Sequence, residues 1–435
     1  MKKLYIETYG CQMNFADSEV VASILKDTFD LTKTIEEADL ILINTCSIRD
    51  KAEQRIHKRL TELEALKKHH HGLQIGLLGC MAERMKEELL ATEPVLDFIA
   101  GPDAYRSLPE LIEKSSEGET QFNVLLSTDE TYDDVMPVRY DTNGISAYIS
   151  IMRGCNNFCS YCVVPYTRGR ERSRDPKTIL AEAEDLIQKG FKEVTLLGQN
   201  VNSYHWQENG VTVSFARLME MVAQLSPTLR VRFATSHPKD ISDELLETMA
   251  RYDNICKYIH LPVQSGSNQV LKKMNRVYTR EYYLERVRKI RELMPDCAIS
   301  TDIIAGFCGE TLEDHLQTLS IMREVGYEYA YMFKYSERGG TMSAKRFKDD
   351  IPDEEKTRRL EEIIALQGEL SHESNLRDVG KTFTILVEGV SKRSPEYLYG
   401  RNSQNKVIIF PKENHQIGEY IEVTVTRCTP ATLFA

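Results

Sequence analysis

Six of the ten cysteines fall into two sets of three, and each set has the makings of an iron–sulfur site. The sharper set is Cys155-Asn-Asn-Phe-Cys159-Ser-Tyr-Cys162. Three thiolates on one short loop can hold three irons of a [4Fe–4S] cluster and leave the fourth iron open to another molecule. Cys159 and Cys162 could be half of a zinc site, but structural zinc wants four closed ligands and no second pair lies nearby. The second set is spread out: Cys11 ends Leu4–Cys11, Cys46 ends Leu40–Cys46, and Cys80 ends Ile75–Cys80. Each follows a strand-like run and precedes a helical pattern. Loops at the carboxyl ends of parallel strands converge on one sheet edge, so these three can meet at a second cluster. Gly10 and Gly79 would let the backbone approach closely there. Three independently buried thiols remain the other reading of this set.

The remaining cysteines, Cys256, Cys297, Cys308 and Cys428, share no spacing and read as packing residues. His69-His70-His71 has a metal-binding composition, but it follows Lys67-Lys68 and precedes Gly72, as a solvated helix end does. Arg168, Arg170, Arg172 and Arg174 form a basic run beside the first cysteine loop, diluted by Glu171 and Asp175. It reads either as a contact to RNA phosphates or as a solvated charge run.

The elements that must position these residues follow from apolar periodicity. In the first hundred or so residues, strands are expected at Lys3–Thr8, Leu40–Asn44, Gln74–Leu78 and Asp97–Ala100, with amphipathic helices at Ser18–Phe29 and Arg49–Lys68. This is the pattern of a flavodoxin- or Rossmann-like parallel α/β sheet. Polar, turn-forming sequence from Ser115 to about Gly144 reads as a connection, with a strand near Phe122–Leu126. A longer alternation then gives strands at Ala147–Met152, Glu193–Leu197, Leu229–Thr235, Tyr258–Leu261, Ala298–Ile304 and Tyr329–Lys334. Helices are expected between them at Pro176–Lys189, Phe215–Leu225, Ser242–Arg251, Asn268–Met274 with Arg280–Met294, and Leu312–Val325. Six such units suit a (β/α)6 partial barrel, smaller than the eight-unit barrel, with Asp353–Leu376 as its closing helix. After Gly380 the period falls to two, at Thr382–Val387, Val407–Phe410 and Tyr420–Arg427, as in a small all-β barrel. The expected division is residues 1–117, a linker at 118–140, a core at 141–374 and a terminal barrel at 375–435.

A chain of 435 residues can bury two or three cores. Its 41% hydrophobic and 28% charged residues are those of a globular protein, and no run approaches the length that spans a bilayer. The amino terminus runs straight into a strand-like segment without a secretory signal, so a cytoplasmic location is expected. That compartment keeps thiols reduced, which favours metal ligation over disulfides for the ten cysteines. The net charge of −11 excludes a generally basic nucleic-acid binder, so any RNA contact must come from local patches.

Over essentially its whole length the sequence resembles the methylthiotransferase family of the radical S-adenosylmethionine superfamily. The resemblance rests on Tyr9-Gly-Cys-Gln-Met-Asn14, Asn44-Thr-Cys46, Gly79-Cys80 and the segment from Arg153 to Gly169 that holds Cys155, Cys159 and Cys162. Leu197-Gly-Gln-Asn-Val201, His260–Ser267 and Thr301–Phe307 extend it. Gln12-Met13-Asn14 and Val163–Gly169 resemble the branch that makes 2-methylthio-N6-dimethylallyladenosine in tRNA, and Ser391–Pro395 with Tyr399-Gly-Arg401 resembles its terminal TRAM domain. Cys308 departs from the family, where many relatives have proline after Gly-Phe.

The resemblance implies two [4Fe–4S] clusters, with Cys155, Cys159 and Cys162 on the one that binds S-adenosylmethionine and Cys11, Cys46 and Cys80 on an auxiliary one. It implies a deoxyadenosyl radical attacking C2 of adenine in tRNA carrying N6-isopentenyladenosine, next to the anticodon. Sulfur from the auxiliary cluster, methylated by another S-adenosylmethionine, is then delivered to that carbon. Such an unactivated C–H bond is beyond acid–base groups and needs a cofactor. Gln199, Asn200, Ser236 and Gln264, at expected strand ends, are candidates to bind S-adenosylmethionine, or else they cap strands and helices. Lys392, Arg393, Arg401 and Lys406 are candidate RNA contacts on the terminal barrel. Expected partners are an electron donor such as flavodoxin or ferredoxin and a cluster repair or carrier protein. No membrane is expected, and the chain is read as a monomer. Rival readings are methylthiolation of an aspartate on a small-subunit ribosomal protein, action on threonylcarbamoyl-adenosine, and a non-catalytic iron–sulfur RNA-binding protein. The cysteines do not separate the first two from the main reading.

Overall fold

A computed structural model describes residues 1–46, 50–118, 120–140 and 142–435. The expected helix start at Arg49 and the expected core start at Asp141 lie outside the described residues.

Buried aliphatic runs with glycines near their ends form a six-stranded parallel sheet in the amino-terminal region. Its strands are β1 (Lys2–Thr8), β2 (Phe29–Leu31), β3 (Leu40–Thr45), β4 (Gln74–Gly79), β5 (Phe98–Ala100) and β6 (Gln121–Asn123), in the order β2-β1-β3-β4-β5-β6. The helices are α1 (Gln12–Leu25), α2 (Asp50–His69), the short α3 (Cys80–Met85) and α4 (Glu87–Thr92), and α5 (Leu108–Ser116). β3 and β4 are buried at every position, as central parallel strands covered on both faces must be. Two apolar clusters fill those faces, one around Leu4, Val21 and Phe98, the other around Ile41, Ile75 and Leu63.

The expected helix Ser18–Phe29 instead runs from Gln12 to Leu25, and Phe29 begins β2, a strand the periodicity did not reveal. α1 is buried on nearly every side, polar Asn14, Asp17, Ser18 and Glu19 included, so it has no apolar stripe to mark its start.

The central strands are β7 (Ser146–Ser150), the short pair β8 (Met152–Arg153) and β9 (Arg172–Ser173), and β10 (Glu193–Leu197). A hairpin of β11 (His205–Glu208) and β12 (Val211–Ser214) is a further addition to the expected list. There follow β13 (Arg230–Phe233), β14 (Tyr258–His260), β15 (Ala298–Ala305) and β16 (Tyr329–Lys334). The helices are α6 (Val164–Thr167), α7 (Pro176–Gln188), α8 (Phe215–Leu225), α9 (Asp243–Arg251), α10 (Asn268–Lys273), α11 (Arg280–Leu293), α12 (Leu312–Val325), α13 (Met342–Arg346) and α14 (Asp353–Leu376). The six expected strands pair in parallel as two three-stranded sheets, β13-β10-β7 and β14-β15-β16. An isolated bridge between Val231 and Ile255 lies at the seam. One large apolar cluster lies between these strands and their helices.

The terminal sheet is β17 (Thr382–Val390), β18 (Tyr397–Arg401), β19 (Val407–Pro411), β20 (Tyr420–Thr424), β21 (Arg427–Cys428) and β22 (Leu433–Phe434). It is joined to β13 by charged side chains donating to main-chain carbonyls. Arg230 reaches Arg401 and Thr384, and Arg232 reaches Asn402 and Ser403. No helix among the described residues is long and apolar enough to cross a membrane.

Candidate iron–sulfur and S-adenosylmethionine site

Strands β1, β3 and β4 are neighbours in the first sheet, so the loops that follow them lie side by side. Cys11 ends the first loop and caps α1, Cys46 follows β3, and Cys80 opens α3. The crowding is severe. A Cβ on Gly10, at φ +119°, would stand 2.4 Å from Cys46 Cβ. One on Gly79, at φ +91°, would stand 2.5 Å from Asn44 Oδ1. Only glycine fits either place. Two buried asparagines hold the loops together: Asn14 Nδ2 donates to Asn44 Oδ1 at 3.0 Å, and Asn44 Nδ2 donates to the Asn14 carbonyl at 2.9 Å. Cys11 Sγ lies 3.1 Å from Asn14 Oδ1. A hydrogen bond from Cys46, helped by the charge of Arg168, brings the Cys11 thiol down to about 6. Burial pushes Cys80 the other way.

The second trio follows β8. Gly154 turns the chain at φ +78°, where a Cβ would meet the Arg170 carbonyl oxygen at 1.9 Å. The loop is pinned by the end of α10: Ser160 N donates to Met274 O at 2.9 Å, and Asn275 Nδ2 to Phe158 O at 3.0 Å. Burial pushes Cys155 up to about 11 and, with Cys159 beside it, Cys162 up to about 12. Arg276, buried, donates from Nη1 to Cys159 Sγ at 3.2 Å, from Nη2 to Pro262 O and from Nε to Tyr278 Oη. Cys155 and Cys159 are buried and Cys162 half-buried; as thiolates the three would repel one another unless a cation neutralised them, which the irons of a cluster would do. Among the described residues no three histidine, cysteine or carboxylate side chains close on one metal ion.

The polar candidates after β10 and β13 carry an independent sign of a site. Gln199 Oε1, Asn200 Oδ1 and Ser236 Oγ are buried without a hydrogen-bond partner, as are both amide atoms of Asn202. Native structures leave few such atoms; a polar ligand or ordered water would satisfy a group of them. Thr235 and Gln264 take left-handed backbone angles, φ +71° and +70°, strain that gathers at binding sites. Asn202 and Arg276 were missed in the sequence. Asn202 lies one position beyond the matched Leu197–Val201, and nothing near Arg276 marks it.

Of the basic run, Arg170 alone is on the surface, stacked 4.5 Å from the Phe158 ring centroid. Arg168, Arg172 and Arg174 are only 3%, 7% and 4% exposed, so they do not form the phosphate patch expected of them. They are paired inside the molecule. Asp17 of α1 accepts from Arg153 Nη1 and Arg168 Nη2, each at 2.8 Å. Asp103 accepts from Arg172 at 2.9 Å, and Arg174 pairs with Glu182. On the terminal sheet, Arg401 is held by Glu388 and Glu193 and Lys406 by Asp378, which leaves Lys392 and Arg393 exposed. The partners of Arg168 and Arg172 lie far off in sequence, which is why the run read as surface charge.

The two trios are close neighbours. α3, which opens on Cys80, packs on α6, which begins two residues past Cys162. Met13 and Ala16 of α1 pack on Leu197 at the end of β10. On β14–β16, Ala330 packs toward the helices, while His260, Ser300, Asp302, Tyr329 and Tyr331 lie on the other face. There Tyr329 and Tyr331 meet edge to face at 4.9 Å between centroids and stay 52% and 43% exposed.

Comparison with known proteins agrees with this architecture. Residues 149–322 match the Radical SAM superfamily, 3–101 the Uncharacterized protein family UPF0004 and 376–435 the TRAM domain. The first match implies a [4Fe–4S] cluster and S-adenosylmethionine. Among solved structures, the radical S-adenosylmethionine methyltransferase TsrM from Kitasatospora setae, with cobalamin and a [4Fe–4S] cluster bound, superposes with a TM-score of 0.57. It covers 77% of this chain and 72% of that one at 14% identity, which speaks for fold alone. The tRNA-2-methylthio-N6-dimethylallyladenosine synthase of Parabacteroides distasonis is 58% identical over 100% of this chain and 95% of its own. That of Bacteroides thetaiotaomicron is 57% identical over 99% and 95%. Similarity this high from one end to the other leaves no part of the chain outside the relationship: it belongs to the tRNA-2-methylthio-N6-dimethylallyladenosine synthase family of radical S-adenosylmethionine enzymes.

Proposed function

We propose that the chain methylthiolates C2 of N6-isopentenyladenosine next to the anticodon in tRNA. Cys155, Cys159 and Cys162 would hold one [4Fe–4S] cluster, and Cys11, Cys46 and Cys80 an auxiliary one. The observation that carries this reading is the pairing of the two trios across α3 and α6, since the reaction needs a radical source and a sulfur source at one substrate. When bound, S-adenosylmethionine and the clusters supply the radical, the methyl group and the sulfur; everything else falls to the chain.

Gln199, Asn200, Asn202 and Ser236 offer unpartnered polar atoms to a ligand beside the Cys155–Cys162 loop. Arg276 fixes Cys159 against the loop around Pro262. The exposed rings of Tyr329 and Tyr331, with His260 edge-on at 5.7 Å, give a flat base something to stack on. A base must leave its neighbours to reach such a wall, which is easier in a loop than in a duplex. Arg170, Lys392 and Arg393 remain as exposed cations for the RNA backbone. On the same reading the six central strands make one partial (β/α)6 barrel, and residues 1–117, 141–374 and 375–435 act as separate units.

The test is nucleoside mass spectrometry after anaerobic incubation of the reconstituted protein with S-adenosylmethionine, a strong reductant and prenylated tRNA. Conversion to the 2-methylthio nucleoside is expected. Cys155→Ala should abolish both deoxyadenosine and product, whereas Cys11→Ala should still form deoxyadenosine and lose the product. Deoxyadenosine with unchanged tRNA from the parent protein would move the substrate to the ribosomal-protein or threonylcarbamoyl-adenosine readings. Neither product, with both clusters verified, would sink the enzymatic reading.

A further inference from the structure

Arg168 stands at the end of α6, in the segment that carries the first cysteine trio, yet its guanidinium enters the second. Nε donates to Cys80 Sγ at 3.2 Å and Nη2 to Asp17 Oδ2 at 2.8 Å. Nη1 is buried with no acceptor. Asp17 holds the group from behind while accepting Arg153 on its other oxygen, and Arg153 lies two residues before Cys155. A planar fork fixed by one carboxylate has little freedom, so the idle N–H is held on a guanidinium that touches Cys80 and interacts electrostatically with Cys11. An unpaired buried donor is costly, and among groups that could enter a pocket of cysteines a cluster sulfur is an acceptor.

We propose that Arg168 is a positioning residue for the auxiliary cluster, donating one hydrogen bond to Cys80 and a second, from Nη1, to a sulfur of the cluster itself. The proposal rests on the reading of Cys11, Cys46 and Cys80 as cluster ligands. Hydrogen bonds to sulfur and nearby positive charge favour the reduced, more negative cluster, so Arg168 holds its reduction potential up. Because Arg168 belongs to the radical S-adenosylmethionine segment, the auxiliary cluster acquires its final environment only when the two halves of the molecule are docked.

Iron content and reduction potential test this without reference to turnover. In full-length protein with Cys155, Cys159 and Cys162 replaced by alanine, only the auxiliary cluster remains to be titrated by electron paramagnetic resonance. On that background Arg168→Gln should shift the midpoint to more negative potential or lose the cluster, and Arg168→Lys, which keeps the charge but not the fork, should recover part of the shift. Arg172→Gln is the control, being buried in the same network through Asp103 without touching a sulfur. If Arg172→Gln moves the potential as far as Arg168→Gln, general loosening is responsible and the proposal falls. It falls too if Arg168→Gln keeps the parent's iron and potential. Absence of any cluster from the triple-alanine parent would instead overturn the ligand reading on which the proposal stands.

Discussion

On the proposed reading, the two cysteine trios reach similar chemistry by opposite routes. Cys155, Cys159 and Cys162 share one loop, and the strands around it serve mainly to hold that loop still. Cys11, Cys46 and Cys80 share nothing in sequence; adjacent strands β1, β3 and β4 bring them together, and an asparagine pair locks them. Each trio has a buried arginine donating to one sulfur at 3.2 Å. Arg276 comes from the same half of the chain as its trio and has an acceptor for every nitrogen. Arg168 crosses from one half of the molecule to the other and has a donor to spare. The contiguous site is complete within its own half, whereas the dispersed one depends on docking.

Glycine substitutions should separate the two most sharply. Gly154→Ala puts a Cβ 1.9 Å from a main-chain oxygen, and Gly10→Ala puts one 2.4 Å from Cys46 Cβ, both at positive φ. Neither overlap can be relieved by turning a flexible side chain. Gly154→Ala should lose the first cluster and with it deoxyadenosine formation. Gly10→Ala should lose the auxiliary cluster, about half the iron, and keep deoxyadenosine formation. Equal loss of both clusters in both variants would mean that the two sites are one cooperative unit, and the contrast would collapse.

Docking itself is tested by Asp17→Asn. Asp17 is 1% exposed and serves two arginines, so its neutral replacement leaves buried positive charge uncompensated. Removing one partner of a buried ion pair typically costs about 3–5 kcal/mol. A fall in the thermal midpoint is expected, with the auxiliary cluster lost at lower temperature than the first. Loss in the reverse order would contradict the idea that the dispersed site leans on this contact.

How far each site could be read from sequence follows from the same contrast. The Cys155 loop stood out because its cysteines are neighbours in the chain. The second trio was legible only through strand ends, and there the expected strands Leu40–Asn44 and Gln74–Leu78 agree with β3 and β4 to within one residue. Asp17, Asn14 and Arg168 could not be given their roles, because a buried polar or charged side chain looks like any other polar residue until its distant partner is known. The same limit misplaced α1 and made Arg168, Arg172 and Arg174 look like surface cations. Gln199, Asn200 and Ser236 follow the ends of β10 and β13, but that each keeps one buried polar atom without a partner is a fact of three dimensions alone.

The smallest effect should come from Glu83, on the helix that Cys80 opens. Its side chain is buried where Gly101 leaves room, with Oε2 lacking a partner, and burial raises its carboxyl to about 7. Lys86 opposes that rise and Asp103 adds to it. The folded state therefore keeps a proton that the unfolded chain releases near 4.5. Stability from this group is complete below that value and is lost as pH climbs through 7. After allowance for the water that still screens the carboxyl, the loss is about 1–2 kcal/mol. Thermal melts of the protein between pH 5 and 8 should fall with rising pH, and Glu83→Gln, which keeps the shape and removes the titration, should flatten that slope. The effect belongs to the dispersed site's half of the molecule, so the first cluster should be retained equally at both pH values. An unchanged slope in Glu83→Gln would show that Asp103 and its arginines, not Glu83, set the response of this interface to pH.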